Sequence, residues 1–174
     1  MSQAKRRDIE SECLTAFELV VKDLSHSVTG RGYGAANRFD AGFELIGQQR
    51  FQFGDLRVDL DDRIAIVEVE SGGGMTNLMK YWPLAEQTEK PIFLFHVFGQ
   101  GSANDYLSHL HLWDFTWNKM REQLWRVNPP KLFARKYQFK QSQLGELDTI
   151  AEDFKTTLSD TFEAVASEIF GYRR

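Results

Sequence analysis

Cysteine is nearly absent from this chain of 174 residues, and Cys13 is the only one. No intramolecular disulfide can therefore form, which removes the scaffold on which many small secreted domains depend. The amino terminus lacks the apolar core of a secretory signal. The longest apolar runs have the length of a strand and are interrupted by charged residues, so they are too short to cross a membrane as a helix. These absences predict a soluble, cytoplasmic protein with no membrane partner.

Positive charge is not in surplus either, because 21 Lys and Arg face 25 Asp and Glu, a formal net charge of -4. Proteins that bind the phosphate backbone of nucleic acids usually carry an excess of Lys and Arg. The basic residues are unevenly distributed, however, and one segment concentrates several of them: Arg126, Lys131, Arg135, Lys136 and Lys140. This segment predicts a local basic surface on an otherwise acidic chain.

The length and the apolar content of the chain are typical of one globular domain, residues 1–174. Helical and strand periodicities alternate along it and predict an α/β fold. The predicted elements are a helix over 7–24, a meander of strands at 43–48, 51–60 and 63–71, a helix over 76–82 that Pro83 stops or kinks, a buried parallel strand over 90–98, a helix over 103–125, an outer strand over 131–140 and one long C-terminal helix. The apolar stripe of that last helix, from Leu147 to Ile169, packs on the domain's own core or forms a homodimer interface.

A row of acidic residues lies within strands that should be buried. Asp55 and Asp59 lie on the second strand of the meander, and Glu68 and Glu70 lie on the third. Alternation along a strand places Glu68 and Glu70 on the same face. If residues 61–62 form a two-residue hairpin turn, antiparallel register sets Asp55 opposite Glu68 and leaves Asp59 nearer the turn.

Convergent carboxylates of this kind predict a metal site. Unit charges about 4 Å apart repel by roughly 4 kcal/mol at an effective dielectric constant of about 20, so an ion or protons must neutralise them. Oxygen ligands without a neighbouring Cys or His favour Mg²⁺ or Mn²⁺. The predicted ligands are Asp55, Glu68 and Glu70, with Asp59 as the alternative to Asp55. Glu10 projects onto the apolar stripe of the first helix and is a further candidate, or else a first-turn acid favoured by the helix dipole.

The competing interpretation of this row is a solvated hairpin end that carries ordinary surface acids. The apolar run from Ile64 to Val67 argues against it, because such a run is typical of a central strand and not of an exposed edge. The acids at the end of that run are therefore expected to be buried. His96 lies in the next buried strand pattern and is expected to be a structural histidine with satisfied hydrogen bonds, and Trp113 is expected to pack the core.

The order helix, meander, helix, strand, with Asp55 on the second meander strand and Glu68-Val69-Glu70 on the third, resembles the PD-(D/E)xK phosphodiesterase superfamily. The resemblance covers about residues 7–98 and implies a restriction-endonuclease-like αβββαβ core, in which helices flank a mixed central sheet. Gly54 stands where the motif often has Pro. Glu70 stands where it usually has Lys, a departure that some family members share.

The helix after the third strand supplies a replacement for that lysine. Asn77, Lys80 and Tyr81 recur at helical spacing and share one face. In some family members the lysine has moved to this helix, so the resemblance implies that Lys80 takes its role. Asn77-x-x-x-Tyr81 looks like the Gln-x-x-x-Tyr element of the nuclease branch related to recombination enzymes. The plainer alternatives are a surface lysine and a core tyrosine.

The resemblance implies an endonuclease that depends on Mg²⁺ or Mn²⁺ and hydrolyses phosphodiester bonds, with DNA favoured over RNA. Asp55, Glu68 and Glu70 then hold the ion, and Lys80 stabilises charge on the phosphate or orients the attacking water. The residues expected to bind nucleic acid are Asn77, Tyr81, Arg135 and Lys136. The alternative hypothesis is a catalytically inactive nuclease-fold module that binds protein or nucleic acid, which the acidic balance and Glu70 favour.

Overall fold

The computed structural model describes residues 3–33, 42–70, 76–99, 103–139 and 144–173. The helices are α1 (Gln3–Asp23), α2 (Thr76–Gln87), α3 (Ala103–Leu124), α4 (Leu144–Ser159) and α5 (Phe162–Glu168). The strands are β1 (Gly30–Arg31), β2 (Gly42–Glu44), β3 (Arg50–Gln52), β4 (Leu56–Asp59), β5 (Ile64–Glu70), β6 (Ile92–Gly99) and β7 (Leu132–Phe139). Lys140 of the basic segment lies outside the described residues.

A five-stranded mixed sheet in the order β1-β4-β5-β6-β7 forms the centre of the fold. The pairs β1–β4 and β4–β5 are antiparallel, whereas the pairs β5–β6 and β6–β7 are parallel. The two parallel connections each pass through a helix, α2 and α3, as parallel strands require. The predicted α/β class, with a mixed sheet flanked by helices, is confirmed.

Both faces of the sheet are covered, because alternate residues of the central strands face opposite layers. On one face Val67, Phe93 and Phe95 pack against α1, α4 and α5. On the other face Ile66 and Leu94 pack against α2 and α3. Every residue of β5 and β6 is buried. The polar side chains of these two strands therefore lie beneath helices and depend on protein partners for their hydrogen bonds.

The β4–β5 hairpin has the register that the sequence predicts. Asp59 pairs with Ile64 and Leu56 pairs with Val67. The Leu60 N–H donates to the Arg63 carbonyl at 2.9 Å, which makes residues 61–62 a two-residue turn. The regular pairing ends at Leu56 and Val67. The Asp55 N–H donates to the carbonyl of Val67, the partner of Leu56, at 2.8 Å, so Asp55 lies just beyond the ladder and its predicted position directly opposite Glu68 is not confirmed.

The predicted meander is wrong in its first strand. Residues 42–44 and 50–52 form a separate two-stranded sheet, and the neighbour of β4 is instead the two-residue strand β1. The predicted strand 51–60 is interrupted at Gly54, whose positive φ of 73° an extended strand does not accommodate. The interruption separates β3 from β4 and leaves Asp55 at the point where the chain enters the main sheet.

Two helix boundaries also differ from the sequence-based prediction. Helix α2 continues through Pro83 to Gln87. Pro83 removes one backbone hydrogen bond, and the burial of Leu84 and Ala85 in the core offsets that loss. The predicted long C-terminal helix is two helices, α4 and α5, and Thr161 caps the second of them. Their apolar stripe packs on the chain's own core.

Arg63 joins the end of α4 to the β4–β5 hairpin. Its buried guanidinium group donates to the carbonyls of Thr157 and Asp160 and pairs with Asp62. Carbonyl groups at a helix C-terminus have no partner within the helix, so a cation there satisfies them. Among the described residues, none of the helices is both long enough and apolar enough to cross a membrane.

Candidate active site

Three buried carboxylates lie near the end of the β4–β5 hairpin that is farthest from its turn. Asp55 directly precedes β4, and Glu68 and Glu70 are at the carboxyl end of β5. Their exposed fractions are only 8%, 5% and 7%. We call these three residues the acidic cluster. The interpretation of a solvated hairpin end with surface acids is therefore wrong.

Gly54 brings the chain into this cluster in a conformation that other residues do not adopt readily. Its φ is 73°, and a Cβ built there would lie 2.3 Å from Ile66 Cγ2 and 2.8 Å from the Val67 carbonyl oxygen. The Gly54 N–H donates to Glu68 Oε2 at 2.9 Å. Proline fixes φ near −65° and has no N–H. The glycine at the motif position where Pro is common is thus required by the local backbone of this chain.

Several donors hold the carboxylate of Glu68. Besides the Gly54 N–H, the Lys80 ammonium group donates to its carboxylate at 3.0 Å and the Tyr81 hydroxyl donates to Oε2 at 2.6 Å. Lys80 and Tyr81 are consecutive on α2, which covers this face of the sheet. Lys80 Nζ also lies 5.7 Å from the centre of the Phe53 ring, an attractive cation–π position. The helix therefore delivers one cation and one hydroxyl group to the same carboxylate.

Burial and a neighbouring negative charge both raise pKa values in the cluster. Burial raises the pKa of Asp55 well above its usual value, the charge of Glu68 raises it further, and Glu10 adds to this, while the Val69 N–H and Lys80 lower it. The Val69 N–H donates to Asp55 Oδ2 at 2.8 Å. Burial, followed by the charge of Glu68, also raises the pKa of Tyr81, so its hydroxyl group stays a donor.

Glu70 has a different set of partners. The Asn77 side-chain amide donates to Glu70 Oε1, and His96 Nε2 lies 3.3 Å from the same oxygen. His96 is completely buried, and the Trp113 indole N–H donates to His96 Nδ1 at 2.9 Å. His96 is a buried histidine with a partner at each ring nitrogen, as predicted, but its contact with Glu70 was not predicted from the sequence. The pairing of His96 with Glu68 in the parallel β5–β6 register is the signal that could have revealed it.

The other predicted residues lie in several places. Asp59 pairs with Arg57 at 2.9 Å, away from the cluster, so the alternative ligand is not supported. Glu10 is half-buried on α1, and its charge acts on Asp55, which places it beside the cluster. Tyr81 is fully buried and offers no surface to nucleic acid; its hydroxyl group holds Glu68 instead.

The two basic residues expected to bind nucleic acid lie side by side on the edge strand β7 and already have protein partners. Arg135 donates to the Ile169 carbonyl at 2.8 Å and lies 3.5 Å from Asp153, while 45% of its side chain remains exposed. Lys136 donates to the Leu110 carbonyl at 3.0 Å and pairs with Asp114. Successive residues of a strand point to opposite faces, so the two do not form one basic patch.

The donor chemistry of the acidic cluster fits a hard divalent cation. It offers carboxylate oxygens, the ligands that Mg²⁺ and Mn²⁺ prefer, and the pKa of Asp55 is raised first by burial and then by the charge of Glu68, which Lys80 only partly offsets. In the part of the chain that the structure describes, no group of three or more Asp, Glu, His or Cys side chains is arranged to hold a metal ion as it stands. An ion would have to compete with the three protein donors on Glu68.

Comparison with known proteins found no relative of this chain. No protein-family model, no curated protein and no solved structure matches the chain.

Proposed function

We propose that this protein is a metal-dependent nuclease that hydrolyses phosphodiester bonds in DNA. The observation that carries the proposal is the acidic cluster together with Lys80, whose ammonium group bonds to Glu68 from the next helix. Surplus buried carboxylates with one cation beside them are an arrangement suited to a divalent ion and a phosphate. The order helix, three antiparallel strands, helix, parallel strand in the main sheet supports a restriction-endonuclease-like core.

The proposal assigns a task to each residue of the site. Asp55, Glu68 and Glu70 would hold Mg²⁺ or Mn²⁺, which supplies Lewis-acid activation of a phosphate and of a water molecule when bound. Lys80 contributes positive charge toward a phosphate oxygen. Tyr81 and the Gly54 N–H fix the orientation of Glu68.

Substrate binding is proposed on the side of the cluster where Lys80 and Asn77 lie, since both side chains are only partly buried. Asn77 holds Glu70 and is near enough to the cluster to contact a sugar-phosphate backbone placed there. Arg135, with its exposed side chain, is the remaining basic residue proposed for contact with the phosphate backbone.

A cleavage assay with matched variants tests this function. Supercoiled plasmid and single-stranded DNA are incubated with the protein in Mg²⁺, Mn²⁺ or EDTA, and RNA serves as the competing substrate. Asp55→Asn and Glu68→Gln should abolish DNA cleavage. Asp59→Asn changes an acid of β4 that lies outside the cluster, so this variant should cleave DNA like the parent protein. Equal cleavage by the cluster variants and the parent protein would exclude the assignment.

A second candidate, a catalytically inactive nuclease-fold module, is favoured by one observation. The Glu68 carboxylate is bonded by Gly54, Lys80 and Tyr81, and a buried network satisfied in this way can serve stability alone. Calorimetric titration with Mn²⁺ separates the two functions. Ion binding that Glu68→Gln weakens supports the nuclease, and the absence of heat supports the module.

A further inference from the structure

A hydrogen-bonded chain runs beneath α3 from Glu70 to Trp113. His96 lies between them on β6, with no exposed surface. Its Nδ1 accepts from the Trp113 indole at 2.9 Å, and its Nε2 lies 3.3 Å from Glu70 Oε1. The Phe98 ring stacks on the imidazole at 4.6 Å between centroids. The imidazole is therefore fixed in position by contacts at both nitrogens and on one face.

The chemistry of the indole group determines the tautomer of His96. An indole N–H is a donor only, so the ring nitrogen that receives it must carry a lone pair. A neutral imidazole that accepts at Nδ1 carries its proton at Nε2. The Nε2–H then points to a carboxylate oxygen, which accepts it. The direction of both hydrogen bonds follows from Trp113 alone.

We propose that His96, held as the Nε2–H tautomer by Trp113, is a positioning residue for Glu70. Asn77 and His96 both bond to Oε1 of this carboxylate. Two contacts at one oxygen restrict rotation about the Cγ–Cδ bond of Glu70 and so hold the carboxylate in one orientation. The value of this arrangement for ion binding rests on the proposed function, in which Glu70 is a ligand.

Lys136 extends the same network to the sheet edge. Its ammonium group lies 5.7 Å from the centre of the Trp113 ring and bonds to the Leu110 carbonyl and to Asp114 on the same helix. A cation over the ring face stabilises the indole in one orientation. Lys136, predicted from sequence to bind nucleic acid, thus contributes to the support of Glu70 through Trp113 and His96.

The tautomer is tested on the intact protein by long-range ¹H–¹⁵N correlation spectra of histidine-labelled samples. His96→Gln identifies the His96 signals among the four histidines. We expect the Nε2–H tautomer, an Nε2–H proton whose chemical shift changes in Glu70→Gln, and loss of the single tautomer in Trp113→Phe. Trp117→Phe, a neighbouring indole 6.2 Å away in the same core, is the control and should leave the signal unchanged. An Nδ1–H tautomer in the parent protein overturns the proposal.

Calorimetric titration with Mn²⁺ measures the consequence for the site. His96→Phe and Trp113→Phe should lower the affinity by about 10-fold to 100-fold, the usual cost of removing a group that orients a metal ligand. His96→Gln should retain most of the affinity, because its amide N–H can reach the same oxygen. Folded variants that bind Mn²⁺ as tightly as the parent overturn the proposal. If the parent protein binds no Mn²⁺, the nuclease function fails, and the Nε2–H shift in Glu70→Gln still decides whether His96 holds Glu70.

Discussion

The Lys80 ammonium group lies 3.0 Å from the carboxylate of Glu68, twelve residues away on the neighbouring strand. Only 19% of the lysine side chain and 6% of the glutamate side chain are exposed. A buried pair of this kind is costly to break, because the group that remains is an uncompensated charge. The pair joins α2 to β5 and places a cation beside the acidic cluster.

Lys80→Met should abolish most of the nuclease activity and destabilise the fold. Removal of one preorganised charge at a reacting centre typically lowers the rate about 100-fold to 1000-fold. The loss of stability follows from the unpaired Glu68. Rates are measured on plasmid DNA in Mn²⁺, and stability is measured by urea unfolding in EDTA.

Lys119→Met is the matched control for this variant. Lys119 pairs with Glu122 on α3, and 57% of its side chain is exposed, so its removal should change neither rate nor stability measurably. A Lys80→Met protein that cleaves DNA at the parent rate would show that Lys80 contributes to stability and not to catalysis.

Asp55→Asn should stabilise the ion-free protein at neutral pH. Burial and the charge of Glu68 raise the pKa of Asp55 above its value in the unfolded chain. A raised pKa in the folded state means that stability is fully present below the unfolded pKa of about 4 and is lost as the pH rises through the folded value. Asparagine carries no charge and retains an oxygen that accepts from the Val69 N–H.

Urea unfolding in EDTA at pH 7 and at pH 3 measures this effect. The variant should exceed the parent in free energy of unfolding at pH 7, and the difference should shrink at pH 3, where the parent carboxyl is protonated in both states. Saturating Mn²⁺ should reverse the order at pH 7 if Asp55 is a ligand. A variant less stable than the parent in EDTA at neutral pH would contradict the argument.

The contacts that the sequence predicted are those set by local periodicity. The turn at residues 61–62 fixed the hairpin register, which pairs Asp59 with Ile64 and Leu56 with Val67 as predicted. Strand alternation placed Glu68 and Glu70 on one face, and helical spacing placed Asn77, Lys80 and Tyr81 on one face of α2. Each of these depends on residues close in the chain, for which the backbone geometry is regular.

The missed features depend on contacts between distant segments or on a single backbone angle. The bond from Trp113 to His96 joins α3 to β6 and has no counterpart in either periodicity. The strand break at Gly54 depends on one positive φ within an otherwise strand-like pattern. The split between α4 and α5 at Asp160-Thr161 lies within a continuous apolar stripe, and the stripe predicts burial but not the cap that begins a new helix.

Cys13 should be unreactive in the native protein. Burial raises the pKa of its thiol to about 12, and the negative charges of Asp55 and Glu10 contribute. The thiolate is the reactive form, and the side chain is completely buried. Ellman's reagent at pH 8 should label the thiol only as fast as the protein unfolds, and labelling should be immediate in denaturant. Rapid stoichiometric labelling of the native protein would show that α1 opens away from the cluster.

Gly54→Ala should destabilise the folded protein strongly. The variant combines two costs: a positive φ of 73° and a Cβ that would lie 2.3 Å from Ile66 and 2.8 Å from the Val67 carbonyl oxygen. Backbone strain costs about 1–3 kcal/mol and overpacking about 1–3 kcal/mol, so a loss of roughly 2–6 kcal/mol in the free energy of unfolding is expected. Displacement of the backbone would also move the N–H that donates to Glu68.

Gly47→Ala separates these two costs. Gly47 has a similar φ of 63°, but an added Cβ meets no atom within 4 Å, so this variant pays for backbone strain alone. Urea unfolding of both variants should show Gly54→Ala as the more destabilised by about 1–3 kcal/mol, the overpacking part. Mn²⁺ affinity should fall only in Gly54→Ala, because only that residue touches the acidic cluster. Equal losses in the two variants would mean that the hairpin relaxes around the added carbon, and that the close approach of Gly54 to β5 is not needed to hold Glu68 in place.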